Sequence, residues 1–419
     1  MFNPNAIIMR KQSLLLSLAI IALGMVVGLS SCKKDDKTVT FAITSISAGG
    51  VDINGAAVVN TVPAKATSIV IGFNMGLNTA TVTADKFTLT RGYDTAAIAI
   101  TPAASGSAIT ITINQDLGNG TTYTLKVNGG ITATDGQAIA ALTRSFTTVG
   151  TFVPAGVFAY WNFNGNANDT VGGFSPTSSG IIDLTYAASY STAAGQAAKF
   201  NGTTSLIRIP NGDQLDNTTD FTLSFWIWAD STKHGNFVMG LAGWYGFQFE
   251  IGGDFKSCKL AAQYKFADGT SGSEDLWFPA DGNLGWQGWT YCRDLTNAGG
   301  LPFILASKWA NVVCRYNATT KVGTMYINGQ KMKEQDFNLW PEADPKRTVT
   351  GLKYNGATGN NTFVFGFIQD FENATIPDDW ANYTIATNNH FKGLLDDVRF
   401  FHKALTEQEI TLMYNSEKP

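Results

Sequence analysis

The sequence predicts an all-β chain, two sandwiches in series, from its composition and from the spacing of its apolar runs. Charged residues are 15% of the 419 and apolar residues 44%, against roughly 25% charge in an ordinary soluble domain. Glycine, threonine, asparagine and aromatic residues fill the difference, and together they favour strands and tight turns over helices. Short apolar runs separated by Gly, Pro, Asn and Asp recur through residues 38–149, and longer, more aromatic runs follow from 157. The net charge of −4 comes without a basic run, so the chain has no electrostatic footprint for nucleic acid.

Residues 1–37 are targeting sequence and tether. Arg10 and Lys11 precede an apolar run at 14–27, which leads into Leu29-Ser30-Ser31-Cys32. A transmembrane helix is the alternative, but it needs about 20 apolar residues, more than the run provides. A signal peptide over 1–31 fits instead. The tetrapeptide resembles a bacterial lipobox, with Cys32 as the lipidated residue. Lys33-Lys34-Asp35-Asp36, within the tether 32–37, resembles the Lys/Asp-rich signal that carries some gram-negative lipoproteins to the outer face of the outer membrane. A merely solvated tether would have the same composition. The expected location is the outer membrane, surface-exposed, with membrane contact through the lipid anchor only.

With Cys32 given to lipid, Cys258, Cys292 and Cys314 remain, an odd number. Cys314 sits in the apolar run Val312-Val313-Cys314-Arg315-Tyr316 and is expected in the core. Cys258 and Cys292 flank an insertion where an extracytoplasmic disulfide is permitted but not required.

Residues 38–149 carry apolar runs at 39–46, 68–73, 87–89, 97–100, 109–113, 123–127 and 145–147, the pattern of an immunoglobulin-like sandwich. Ile69-Val70-Ile71-Gly72-Phe73-Asn74, Tyr123-Thr124-Leu125-Lys126-Val127 and Ile131-Thr132-Ala133-Thr134-Asp135-Gly136 resemble bacterial Ig-like domains that precede catalytic or binding modules. No cluster of catalytic residue types accompanies them, so a spacer role is expected. Residues 150–156, with Pro154, form a linker too short for free tumbling.

From 157 to 419 the runs are Phe158-Ala159-Tyr160-Trp161-Asn162-Phe163, then 197–200 and 206–209 around Asn201-Gly202, then Phe221-Thr222-Leu223-Ser224-Phe225-Trp226-Ile227-Trp228. The last alternates, with Phe221, Leu223, Phe225 and Ile227 on one face. Pairs follow at 246–251 with 259–264, and at 309–316 with 323–330, where Asn328-Gly329 is a strong hairpin signal. The chain closes on Leu394-Leu395-Asp396-Asp397-Val398-Arg399-Phe400-Phe401. Strict alternation would put Asp396 with Val398 and Phe400, and Asp397 with Arg399. Thr406 and Glu409 then form a capping box, with Leu405 and Ile410 at hydrophobic-staple spacing before a short helix. A-K-F-N-G, F-T-L-S-F-W, W-x-x-V-x-x-x-Y, M-Y-I-N-G and L-L-D-D-V-R-F-F resemble, in this order, the bacterial laminin G-like, concanavalin A-like family. That resemblance implies a jelly-roll sandwich for 157–419. Two connections, 266–308 and 338–389, are longer than such a sandwich needs.

Two places could carry a ligand. Asn162-Phe163-Asn164-Gly165-Asn166-Ala167-Asn168-Asp169 is rich in oxygen, and Ca2+ takes about six to eight oxygen ligands. The family resemblance implies a structural calcium held by Asp396, by Asn162 or Asn164, and by Gly202; otherwise Asp396 accepts backbone hydrogen bonds and the asparagines make Asx-turns. Trp277, Trp286, Trp289 and Tyr291 crowd the first insertion, with Asp275, Glu274, Arg293 and Asp294 beside them. Flat rings backed by polar groups suit sugars, although an insertion must also bury a core of its own. Trp340 and Trp380 lie in the second insertion.

Catalytic signatures are missing. Laminarinase-like glycoside hydrolases share this sandwich and carry E-x-D-x-x-E on one strand, while Glu250-Ile251-Gly252-Gly253-Asp254 has the wrong spacing. The histidines, His234, His390 and His402, stand far apart. The expected function is a cell-surface, non-catalytic, carbohydrate-binding lipoprotein on an Ig-like spacer. A glycoside hydrolase or lyase, and an adhesin for a host or matrix protein, are the alternatives.

Overall fold

A computed structural model describes residues 39–279 and 286–419. The signal peptide, Cys32 and the tether expected at 1–37 lie outside the described residues. No described helix is long and apolar enough to cross a membrane.

Residues 43–148 form two five-stranded sheets face to face. Ile46, Ile69, Ile71, Leu89, Ile109, Ile111, Leu125 and Phe146 fill the space between them. The run expected as one strand at 97–100 is split: Ala97–Ile98 pairs in one sheet and Ile100–Ser105 in the other, so the chain crosses between layers at Ala99. Pro102 is tolerated because Ile100–Ser105 is an edge strand. Val51–Asp52 and Val59–Val62 are strands that the apolar pattern did not reveal. Val59–Val62 pairs parallel to Leu142–Thr148 at a sheet edge, where a polar V-N-T-V run suffices.

The second sandwich packs a nine-stranded sheet on an eight-stranded one. The closing strand Lys392–Phe401 lies between the Gln196–Asn201 and Phe221–Ala229 strands, and Val157–Trp161 also pairs with it. Ala159, Phe221, Leu223, Phe225, Ile227, Leu395, Val398 and Phe400 all enter one core. The alternation expected for the closing strand therefore fails at its centre. A bulge breaks the register between Ser224 and Trp226, and Asp397 takes φ +47°. Leu395 before the bulge and Val398 after it both point inward, so Asp396 leaves the face it was expected to share with Val398 and Phe400. The bulge keeps both aspartates out of the apolar core.

Outside that sheet lies the helix Glu407–Glu417, capped as expected: Thr406 Oγ1 accepts from Glu409 N–H at 3.1 Å, and Glu409 Oε2 accepts from Thr406 N–H at 2.9 Å. Leu405, Ile410 and Met413 bury themselves against Phe401, Val313 and Tyr326. Tyr93 of the first sandwich and Phe152 of the linker join the same cluster.

Cys258 is a free thiol in the core, its Sγ 3.7 Å from Met325 Sδ, so the disulfide permitted between Cys258 and Cys292 is not formed. Cys314 is buried, as expected.

Candidate functional site

The first insertion begins as the strand Ser271–Phe278, the outer edge of the second sheet. Alternation sends Leu276 and Phe278 into the core and turns Ser273, Asp275 and Trp277 the other way. Glu274 has the inward parity, yet at this open edge it meets the other sheet instead. It accepts from Lys346 Nζ, and Gln335 Nε2 reaches it at 3.4 Å. The chain returns as Trp289–Cys292, which pairs with Gln330–Asp336 of the nine-stranded sheet. Trp277 and Trp289 thus come from opposite layers and meet edge to face, centroids 6.4 Å apart.

Between them is a cavity of about 320 Å³ lined by Ser273, Glu274, Asp275, Trp277, Gln287 and Trp289. Lys259 Nζ lies 2.9 Å from Asp275 and 3.4 Å from Glu250. Burial pushes the Glu250 carboxyl above its usual range. Beneath the cavity the buried Lys333 sets its ammonium 3.6 Å from the Trp289 ring centroid. Burial lowers that ammonium to about 8. The arrangement offers an indole face, carboxylates already fixed in place by lysines, and an amide.

Of the residues expected here, Trp277, Trp289 and Asp275 line the cavity, and Glu274 joins them. Tyr291 is 40% exposed on the edge strand, and Arg293 is half-buried just beyond it; neither lines the cavity. The Trp286 side chain lies outside the described residues. Ser273 and Gln287 were not foreseen. Gln287 takes φ +47° in a kinked turn, which is invisible in W-Q-G-W. In the second insertion Trp340 is buried against Phe337. Trp380 stacks on Trp244 at 5.6 Å, where the insertion covers the outer face of the second sheet.

The residues named for calcium do not fit one cation. Asp396 Oδ2 accepts from the Ser189 hydroxyl and Oδ1 from Asp397 N–H at 2.8 Å. Burial, and then the neighbouring Asp397, raise its carboxyl to about 8. Asn162 accepts from Asn164 N–H at 3.3 Å, and Asn164 Oδ1 accepts from Gln196 N–H at 2.8 Å. The Gly202 carbonyl accepts from Lys233 Nζ at 2.9 Å, which a dication beside it would repel. Asn201 pairs with Lys392, so Gly202 lies at least roughly 13 Å along the strand from Asp396, at ~3.3 Å per residue. Among the described residues no group of three or more His, Cys, Asp or Glu could hold a metal ion.

The histidines stay apart. His234 meets Asp254 at 2.7 Å on the surface, and His402 stacks on Phe158 at 3.7 Å. His390 is buried between Phe367 and Tyr383, and burial lowers its ring to about 4.

Residues 44–148 match the family model of the bacterial Ig-like domain, and residues 201–373 match that of the concanavalin A-like lectin/glucanases superfamily. No curated protein matches the chain. Among solved structures, domain 4 of the extracellular arabinanase AbnA from Geobacillus stearothermophilus, in complex with arabinotriose, is 19% identical at a TM-score of 0.37. That match covers 61% of this chain and 97% of the other. The binding domain of Paraclostridial Mosquitocidal Protein 1 is 14% identical at a TM-score of 0.38, with 62% of this chain and 52% of that chain covered. A botulinum neurotoxin type C structure, whose cell entry depends on two ganglioside molecules, is 16% identical at a TM-score of 0.38, over 62% of this chain and 51% of that one. This chain therefore spans about half the length of the two toxin chains.

Proposed function

For a chain that carries a bacterial Ig-like domain followed by a concanavalin A-like domain, we propose a non-catalytic carbohydrate-binding role, with the Ig-like domain presenting the second sandwich at the cell surface from a lipid on Cys32. The cavity between Ser273–Trp277 and Gln287–Trp289 supports this reading most directly. A pyranose presents C–H groups on its faces and hydroxyls at its edge. Trp277 supplies a surface for the first, while Asp275, Glu274 and Gln287 supply acceptors and a donor for the second.

Hydrolysis needs one carboxyl that keeps its proton and a second that does not. Here Lys259 and Lys346 hold Asp275 and Glu274 in ion pairs. Glu250, raised by burial, is held behind the same Lys259. The pattern suits binding without bond cleavage.

A glycan array read together with reducing-sugar release, on the wild type and on Trp277→Ala, tests the reading. The expected result is capture of at least one glycan class, no release of sugar ends, and capture lost in the variant with its circular dichroism unchanged. Released sugar ends would establish a glycoside hydrolase instead. Silence on every glycan would leave the adhesin reading, with a protein partner.

A further inference from the structure

The outer face of the nine-stranded sheet carries a second cavity, which shares no lining residue with the first. Register places Lys199 opposite Leu394, Leu394 opposite Trp228, and Trp228 opposite Trp309, in one row across four strands. The residues beside this row, Ala198, Leu395, Ile227 and Ala310, enter the core, so the row faces outward. The C-terminal helix covers the same face only as far as Trp226, whose indole N–H donates to Glu417 at 2.7 Å on the helix's last turn. Trp309 lies against Tyr190, while Lys199, Leu394 and Trp228 floor a cavity of about 450 Å³ walled by Ala187, Phe200, Asn201, Asp230 and Lys392.

Trp228 is half-buried. Among tryptophans whose side chains are described, it alone has neither a ring partner nor a hydrogen bond from its N–H; the others each lie against another ring. One exposed ring is ordinary. An open ring flooring a cavity with a surplus of one charge is not. Lys392 is matched by Asp230 at 3.1 Å and also donates to Thr232 Oγ1 at 2.8 Å. Lys233, close by, donates only to the carbonyls of Gly202 and Asn388. Lys199 is exposed and has no hydrogen bond or ion pair with the described residues. Three ammonium groups therefore stand against one carboxylate, on a chain whose net charge is −4.

We propose that this cavity binds an acidic sugar, a uronate residue of a polysaccharide. Its pyranose face rests on Trp228 and Leu394, its carboxylate meets the Lys199 ammonium, and the free indole N–H and Asp230 serve its hydroxyls. The site shares no lining residue with the Trp277 cavity and does not depend on it.

Calorimetric titration of the protein with a trigalacturonate, and with the same oligomer after reduction of its carboxyls to alcohols, is the test. Binding of the uronate is expected to be at least about tenfold tighter than that of the reduced oligomer and to weaken with salt. Trp228→Ala and Lys199→Glu should each lose about tenfold or more, while Trp277→Ala retains full affinity. Lys199 is exposed, so the second variant does not rest on refolding the core. Equal affinity for the reduced oligomer would overturn the charge reading. Unchanged affinity in both variants, loss only in Trp277→Ala, or no binding of the uronate at all would overturn the site. Loss of glycan capture in Trp277→Ala with this binding intact would instead separate the two sites.

Discussion

Arg399 and Glu417 form a buried ion pair, Nη1 to Oε1 at 2.6 Å, that ties the closing strand to the last turn of the C-terminal helix. The same carboxylate accepts from the Trp226 N–H. Glu417→Ala would leave a buried guanidinium and an indole N–H without this acceptor, at a cost of about 3–5 kcal/mol. Glu417→Gln keeps an acceptor and should cost less. Urea midpoints for both variants check the order; equal losses would mean that the acceptor kept by Gln contributes nothing and that the lost charge carries the whole effect.

Asp396 sets a pH dependence. Its carboxyl is raised to about 8 by burial and by Asp397, while Ser189 and the Asp397 N–H oppose the shift. A folded value above the unfolded one means that the native state holds the extra proton. Stability from this group is then full below the unfolded value near ~4 and falls as pH rises toward 8, by about 1.4 kcal/mol per unit. Buried His390, lowered to about 4, acts in the opposite direction below its unfolded value. The difference between wild type and Asp396→Asn isolates the carboxyl. The variant should be the flatter of the two from pH 6 to 8, and parallel curves would reject the assignment.

How much of this was legible in sequence depended on the range of the interaction. The capping box at Thr406 and Glu409 and the turn at Asn328-Gly329 are local, and both stand where their spacing put them. The bulge at Asp396 and Asp397 was not legible, because alternation assumes an even pleat and the bulge arises from pairing with Ser224 and Trp226. At the site, Trp277 and Trp289 were visible as crowded aromatics. Gln287 depended on a positive φ, and the Lys199 to Trp309 row depended on register among four strands far apart in sequence. Neither leaves a mark in a single run of residues.

The junction between the sandwiches rests on Phe152. Its ring meets Tyr93 edge-on, centroids 5.1 Å apart, and its N–H donates to Ser416 Oγ at 3.1 Å. The linker is thereby docked on the C-terminal helix. Phe152→Ala should remove roughly 3 kcal/mol of packing at this junction and expose 150–156 to proteolysis without unfolding either sandwich. Limited digestion followed by mass spectrometry reads the cut, and a resistant linker in the variant would contradict the docking.

Lys333 offers the converse case, a charge whose removal should help. Its side chain is fully buried, its ammonium faces the Trp289 ring at 3.6 Å, and no acceptor among the described residues takes a hydrogen bond from it. Burial lowers it to about 8, so the unfolded chain binds this proton more tightly than the native one, and stability is lost as pH falls through 8. Lys333→Met matches the volume, packs on the same ring through sulfur and carries no charge. It should stabilise the fold at pH 7 by roughly 1–3 kcal/mol, with the gain shrinking toward pH 10 as the native wild-type lysine loses its proton. Thermal melts of both proteins at the two pH values decide the matter. A destabilised variant at pH 7 would show that attraction between the ammonium and the Trp289 ring outweighs the cost of burying the charge.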